Sequence, residues 1–201
     1  MDLYQLKPKF QQTLDPLSGR LLSLGVGPTT VTVSGFVFSL CAAMVFYFSS
    51  TNILLLLLIP FFLFLRTASN ALDGMMARSL PSVNHAYGEV LNEATDRASD
   101  MVICTGLFFI DHVHTPLVAI VMILVLISSY VGILGKAAGG SRRYEGPMGK
   151  PDRMFYLSLL SVIIVVTGEY RFANYMLWFI AAGLTATILR RLLRIHTELS
   201  S

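Results

Sequence analysis

Six stretches of this sequence, roughly 29–50, 53–79, 88–110, 116–138, 153–168 and 173–190, carry the length and apolar character of helices that cross a lipid bilayer. A crossing helix needs about 20 mostly apolar residues. Inside lipid the backbone must satisfy its own polar groups, so segments of this length are read as helices. The first, fourth and sixth are plain. The second opens as ILLLLLIPFFLFL and ends polar; the third begins polar and turns apolar at Met101. The fifth is short, which suggests that its first turn lies outside the membrane. Pro60 falls within the second span, where a kink is tolerable. Only 13% of the 201 residues are charged, against about 25% in soluble domains, and the apolar runs leave no room for a second folded unit. The expected fold is all-α and integral to the membrane, with six transmembrane helices in a domain spanning 28–195 and a short tail at 196–201.

Residues 1–27 differ in character. Within them Phe10, Leu14, Leu17, Leu21 and Leu24 recur at spacings of three or four, with Lys9, Asp15 and Arg20 around the stripe. This is the pattern of an amphipathic helix lying in the bilayer interface, weakened by Pro16 and Gly19. The opening MDLYQLKPKF lacks the short apolar core of a signal peptide, so insertion is expected to use the first span. Every Lys and Arg except Arg66 and Arg171 falls on one side of the expected topology. The positive-inside rule then puts both termini, and the connections 80–87 and 139–152, in the cytoplasm. Cys41 and Cys104 lie in apolar runs and are read as buried thiols.

Ionisable residues within spans are costly and usually functional, and here they gather in spans two and three. Span two carries Arg66, Asn70, Asp73 and Arg78; span three carries Glu89, Asn92, Glu93, Asp96, Arg97 and Asp100. Asn70 and Asp73 share a helix face, and Asn92, Asp96 and Asp100 recur every four residues. Two oxygen-rich stripes on adjacent antiparallel helices suit a hard cation, Mg²⁺ or Mn²⁺ rather than zinc. Ordinary charges at a helix entrance, or polar glue between helices, would look similar. Gly74, Ala77 and Gly88 suit close approach of a flat ligand or of another backbone. Arg66, one turn before Asn70, suits an ion pair with Asp73 or Asp96, a phosphate contact, or a pair that supports the fold.

Asp73-Gly74-Met75-Met76-Ala77-Arg78, followed by Gly88, Asn92 and Asp96, resembles the signature of the CDP-alcohol phosphotransferase family, D-x-x-D-G-x-x-A-R then G-x-x-x-D-x-x-x-D. The likeness extends over the chain: an amphipathic N-terminal helix, six spans, and Pro28-Thr29 with Thr32 where the family often opens its first span with P-N-x-x-T. The sequence departs from the pattern at two of the four Asp positions, which hold Asn70 and Asn92, and nine residues rather than eight separate Arg78 from Gly88. The arrangement looks like a distinct bacterial branch.

The resemblance implies transfer of a substituted phosphate, typically phosphatidyl, from a CDP-diacylglycerol-like donor to an alcohol, with release of CMP in phospholipid biosynthesis. It implies divalent metal, Mg²⁺ or Mn²⁺, held by Asp73 and Asp96 with Asn70 and Asn92 as weaker ligands, and Asp96 as the base that takes the alcohol's proton. Glu93 and Asp100 are candidates to supply the missing charge. Thr32, Gly74, Ala77, Arg78 and Gly88 would meet the CDP moiety. Lys150 and Arg153, in a segment that resembles the family's G-K stretch, and Arg142 and Arg143 would hold the acceptor, phosphorylated or not; the bland reading of these bases is attraction to anionic lipid headgroups. A homodimer in the bilayer is implied, and no nucleic-acid partner. His85 is expected in the loop between the motif halves, and Tyr175 and Trp178 as interfacial anchors. The alternative function is a weak or inactive CDP-lipid-binding family member or partner subunit. A transporter would place acids on several helices near mid-membrane, and the first, fourth and sixth spans carry none.

Overall fold

The computed structural model describes residues 7–80 and 85–200, apart from the side chains of Lys7 and His85. The centre of the expected 80–87 connection and the extreme ends of the chain lie outside the described residues. Seven α-helices follow one another: α1 Lys7–Ser23, α2 Pro28–Phe48, α3 Ile59–Ser79, α4 His85–Leu107, α5 Thr115–Ala137, α6 Lys150–Thr167 and α7 Phe172–Leu199. A 3-10 helix, Ile53–Leu58, leads into α3. Among the described residues four segments are long and apolar enough to cross a membrane: Pro28–Phe48, Ile53–Ser79, Thr115–Ala137 and Phe172–Leu199. In α4 and α6 the charges cluster towards the N-terminal end of the helix, and the apolar residues follow.

Pro60 does not kink a continuous span. It occupies the first turn of α3, where a missing N–H costs nothing because no intrahelical partner exists there. The leucine run before it winds more tightly, started by the Asn52 side chain, which accepts from the Leu54 amide at 3.0 Å. Pro28, Pro116 and Pro151 open α2, α5 and α6 in the same way. Gly168, left-handed at φ 72°, closes α6, a conformation glycine adopts without penalty. His85 is the first residue of α4 rather than a loop residue, and α7 continues past the expected span end at 190 to Leu199.

The helices meet where side chains are smallest. A Cβ on Gly106 of α4 would lie 2.8 Å from Ala43 Cα of α2, and one on Gly35 of α2 would lie 3.2 Å from Ser69 Cβ of α3. The main core runs through Phe46, Leu63, Leu107, Val121, Leu160 and Leu177, all buried. A smaller core seats α1: Leu14, with Phe10, Leu21 and Leu22, packs on Val31, Ala68, Leu72 and Met76. The apolar stripe of α1 is therefore divided. Leu17 and Leu24 stay exposed, and Ser18 is buried in their stead. Cys104 is buried as expected, whereas Cys41 is only partly so. Tyr175 and Trp178 are exposed on α7.

Gly106→Ala should lower stability by roughly 1–3 kcal/mol, the usual cost of overpacking a tight contact. Thermal unfolding of the detergent-solubilised protein, followed by far-UV circular dichroism, reads this directly; an unchanged midpoint would mean that α2 and α4 part easily at this crossing.

Candidate active site

Three helix segments converge on the polar cluster: the second half of α3, the first two-thirds of α4 and the first turn of α6. Asp100 lies at their junction and is 2% exposed. Its Oδ1 accepts from Arg66 Nη2 of α3 at 2.5 Å, and its Oδ2 accepts from Arg153 Nη2 of α6 at 2.7 Å. Arg66, equally buried, also donates from Nε to Ser39 Oγ of α2 at 3.2 Å and reaches the Asp96 carbonyl at 3.5 Å. One carboxylate between two guanidinia thus links α3, α4 and α6, and Ser39 adds α2. Neither Asp73 nor Asp96 is the ion-pair partner of Arg66; Asp100 is.

Above this junction lies Asp96. Its Oδ1 accepts from Asn70 Nδ2 of α3 and from Lys150 Nζ of α6. Asp73 is 4% exposed. Its Oδ2 accepts from Thr32 Oγ1 of α2 at 2.8 Å, and its Oδ1 is buried with no hydrogen-bond partner. It stands near enough to Asp96 and Lys150 to feel both charges. An orphaned buried carboxylate oxygen is costly. A cation resolves that cost, and the neighbouring oxygens of Asp96 and the two asparagines are of the kind a hard cation takes. The residues present therefore fit such an ion. They are sparse for it: among the described residues no three His, Cys, Asp or Glu side chains gather as a metal cluster.

Glu93 and Asp100 do not join the cluster as suppliers of extra charge. Glu93 pairs with Arg97 and Arg142, and Asp100 with Arg66 and Arg153. Each is already offset by two guanidinia, and Asp100 lines a separate small apolar void.

The cluster opens into a cavity of about 660 Å³. Its lining holds Asn70, Gly74, Asn92 and Asp96, the bases Arg78, Arg97, Arg142, Arg143, Lys150, Arg153 and Arg191, and the apolar side chains of Phe10, Pro60, Leu63, Phe64, Met154 and Phe155. Among the described residues Asp96 is its single acidic one. Such a space suits a ligand with an anionic head and an apolar body. Of the residues expected to meet a nucleotide, Gly74 and Arg78 line the cavity, while Thr32, Ala77 and Gly88 lie outside its lining. A Cβ on Gly74 would meet only Arg78 Nη1, at 3.5 Å, and one on Gly88 would meet nothing within 4 Å. Neither glycine is needed for helix packing.

All four expected acceptor bases line the cavity. Arg142 pairs with Glu93 and stacks 4.6 Å from the centre of the Tyr144 ring. Arg143 pairs with Glu198 of α7. The segment that carries them, 138–149, crosses α5 at Gly132 and Gly135, where a Cβ would lie 2.8 Å from Arg143 O and 2.7 Å from Ser141 O. Gly146, at φ 136°, passes so close to Thr187 that a side chain there would collide. The Thr187 hydroxyl accepts from the Met148 amide at 3.0 Å.

Sequence reasoning missed Arg191. Buried on α7, it donates to Ser128 O at 2.6 Å, Tyr144 O at 3.0 Å and Glu145 O at 3.0 Å, pinning the basic segment to α5 while lining the cavity. In the run RRLLR at a span end it is indistinguishable from ordinary positive-inside charge. Phe10 and Gln11 of α1 were also missed as cavity walls.

No family model matches the sequence. The chain is 33% identical over 182 residues to the inner membrane protein YnbA of Escherichia coli, covering 90% of each. It is 28% identical over 164 residues to archaetidylinositol phosphate synthase of Pyrococcus horikoshii, covering 82% of this chain and 84% of that one. Among solved structures it superposes on the phosphatidylinositol phosphate synthase PgsA1 of Mycobacterium tuberculosis. The TM-score is 0.70 at 23% identity for the form with CDP-DAG bound, over 90% of this chain and 92% of that one. For the complex with manganese and citrate it is 0.71 at 23% identity, over 90% and 88%. At that identity the likeness is one of fold.

Replacing Asp100 by Asn should cost roughly 3–5 kcal/mol, because it leaves Arg66 and Arg153 buried without their counter-charge. Chemical or thermal unfolding of the purified variant measures this, and a loss below about 1 kcal/mol, the scale of an exposed pair, would show that the junction is not desolvated.

Proposed function

The chain belongs to the CDP-alcohol phosphotransferase family, and from that premise we propose that it transfers a phosphatidyl group from a CDP-diacylglycerol-like lipid to an alcohol, releasing CMP. The observation that carries this reading is the cavity, whose lining combines Asp96 and seven bases with aromatic and aliphatic side chains. The bases suit the donor diphosphate, and the apolar lining, formed in part by α1, suits acyl chains.

The alcohol oxygen forms a new bond to the lipid-bearing phosphorus, the bond from that phosphorus to CMP breaks, and the alcohol's proton passes to Asp96. Lys150 and Asn70 both engage Oδ1 of Asp96, which leaves Oδ2 for the proton. Asp73, Asp96, Asn70 and Asn92 would hold Mg²⁺ or Mn²⁺. Such an ion, when bound, offsets diphosphate charge and polarises the scissile bond. Thr32 orients Asp73 through its hydroxyl. Arg78, next to the open flank of Gly74, takes a donor phosphate, and Ala77 and Gly88 leave space for cytidine. Arg153, Arg142 and Arg143 hold the acceptor, with Lys150 between acceptor and base; guanidinia suit a phosphate by paired N–H bonds.

The protein sits in the bacterial inner membrane as a homodimer, both termini cytoplasmic. All of α2 to α7 cross, 28–195 forms the catalytic unit, and α1 lies on the inner face with Leu17 and Leu24 in lipid. The Lys and Arg asymmetry supports this orientation. A second reading, a lipid-nucleotide binder without turnover, is favoured by Asn70, Asn92 and the Lys150–Asp96 pair.

The deciding assay incubates the purified protein with radiolabelled CDP-diacylglycerol, Mn²⁺ or Mg²⁺ and a panel of alcohols, and follows CMP. Metal-dependent release is expected, and Asp96→Asn should reduce it by at least about 10²-fold, the usual contribution of a positioned base. Tight donor binding with no release for any acceptor would select the second reading.

A further inference from the structure

We propose that the ammonium of Lys150 does the electrostatic work of one divalent cation in this chain, so that the site of Asp73, Asp96, Asn70 and Asn92 takes a single metal ion. The inference rests on the transferase reading above and concerns how that same site is charged.

Three observations carry it. First, Lys150 Nζ lies directly on Asp96 Oδ1, an oxygen that also accepts from Asn70. A fixed positive charge thus occupies one side of the carboxylate from within the fold. Second, the motif positions that would otherwise be acidic are the neutral Asn70 and Asn92. Among the described residues the carboxylates left at the cluster are Asp73 and Asp96, and one of the two already has a cationic partner. Third, the next acids cannot make up the difference, since Glu93 and Asp100 are each held by two arginines.

Charge arithmetic then decides the count. Two carboxylates and one ammonium carry one net negative charge. One divalent ion reverses that to a single positive charge. A second would leave three positive charges beside Arg78, Arg97 and Arg153, in a partly buried space where repulsion is weakly screened. The buried, unpartnered Asp73 Oδ1 marks where the one ion is still required.

The test is a Mn²⁺ titration of the full-length protein in detergent, read by electron paramagnetic resonance without substrate. The wild-type chain should bind one Mn²⁺. Lys150→Gln should still bind one, at least about tenfold more tightly, because a repelling charge near the ion is gone; Lys150→Arg, which keeps the charge, should shift far less. Combining Lys150→Gln with Asn70→Asp and Asn92→Asp should admit a second ion and give a spin-coupled, broadened spectrum. Lys150→Met serves as the neutral variant if Lys150→Gln does not fold. Two ions in the wild type, an unchanged or weaker affinity in the neutral Lys150 variants, or one ion in the combined variant overturns the role of Lys150 and leaves the transferase reading standing. A wild-type chain that binds no Mn²⁺ overturns the metal-dependent reading itself.

Discussion

The Arg66–Asp100–Arg153 triad is the interaction on which the site depends. Its members come from α3, α4 and α6, and all are nearly inaccessible. Burying three charges in the body of a helical bundle is unfavourable unless each is paired. Here both oxygens of the carboxylate are used, and Arg66 finds Ser39 and a backbone carbonyl besides. The triad leaves these helices little freedom to slide or rotate without orphaning a charge. Asp96 is one helical turn from Asp100, Asn70 one turn from Arg66, and Lys150 three residues before Arg153. The triad therefore sets the place of the three side chains that meet at Asp96.

A second set of contacts shapes the other wall. The segment 138–149 has no regular structure of its own, and its backbone is held at several points by side chains of α7. Arg191 takes the carbonyls of Tyr144 and Glu145, Thr187 takes the Met148 amide, and Glu198 takes the Ser141 amide. Glycines 132 and 135 let it lie close on α5. The outcome is that Arg142 and Arg143 line the same cavity as Asp96. Both hold an internal carboxylate, Glu93 for Arg142 and Glu198 for Arg143.

Much of this was legible in the sequence. Helix positions followed from the length of the apolar runs, and the convergence of Asn70 and Asp96 followed from stripes on neighbouring helices. The grouping of Asn92, Asp96 and Asp100 was too simple. Residues four apart on an α-helix are offset by about 40° around the axis, so two such steps turn Asp100 well away from Asn92. That rotation, small per step, moves Asp100 from the cavity into the interhelical junction. Glu93 left the expected cluster for a different reason: two arginines, one of them Arg142 in a distant segment, lie within reach. Spacing along one helix cannot show which opposite charge another segment will bring. Pro60 likewise reads as an interior proline until the preceding leucines are seen to wind as a 3-10 helix.

What the sequence determined by itself was the class of molecule and the address of its chemistry: apolar runs of bilayer length, a basic side, and a polar motif at the end of one span and the start of the next. These are local properties, set by covalent order and by the cost of polar groups in lipid, and they survive any detail of packing. Tertiary structure alone decided which charges neutralise one another. Asp100 lies between Arg66 and Arg153, Lys150 rests on Asp96, and Arg191 holds the carbonyls of Tyr144 and Glu145. Charge pairing is settled by distances of a few ångströms between segments far apart in the chain, because electrostatic energy depends on the separation of the partners and is larger where a site is partly buried.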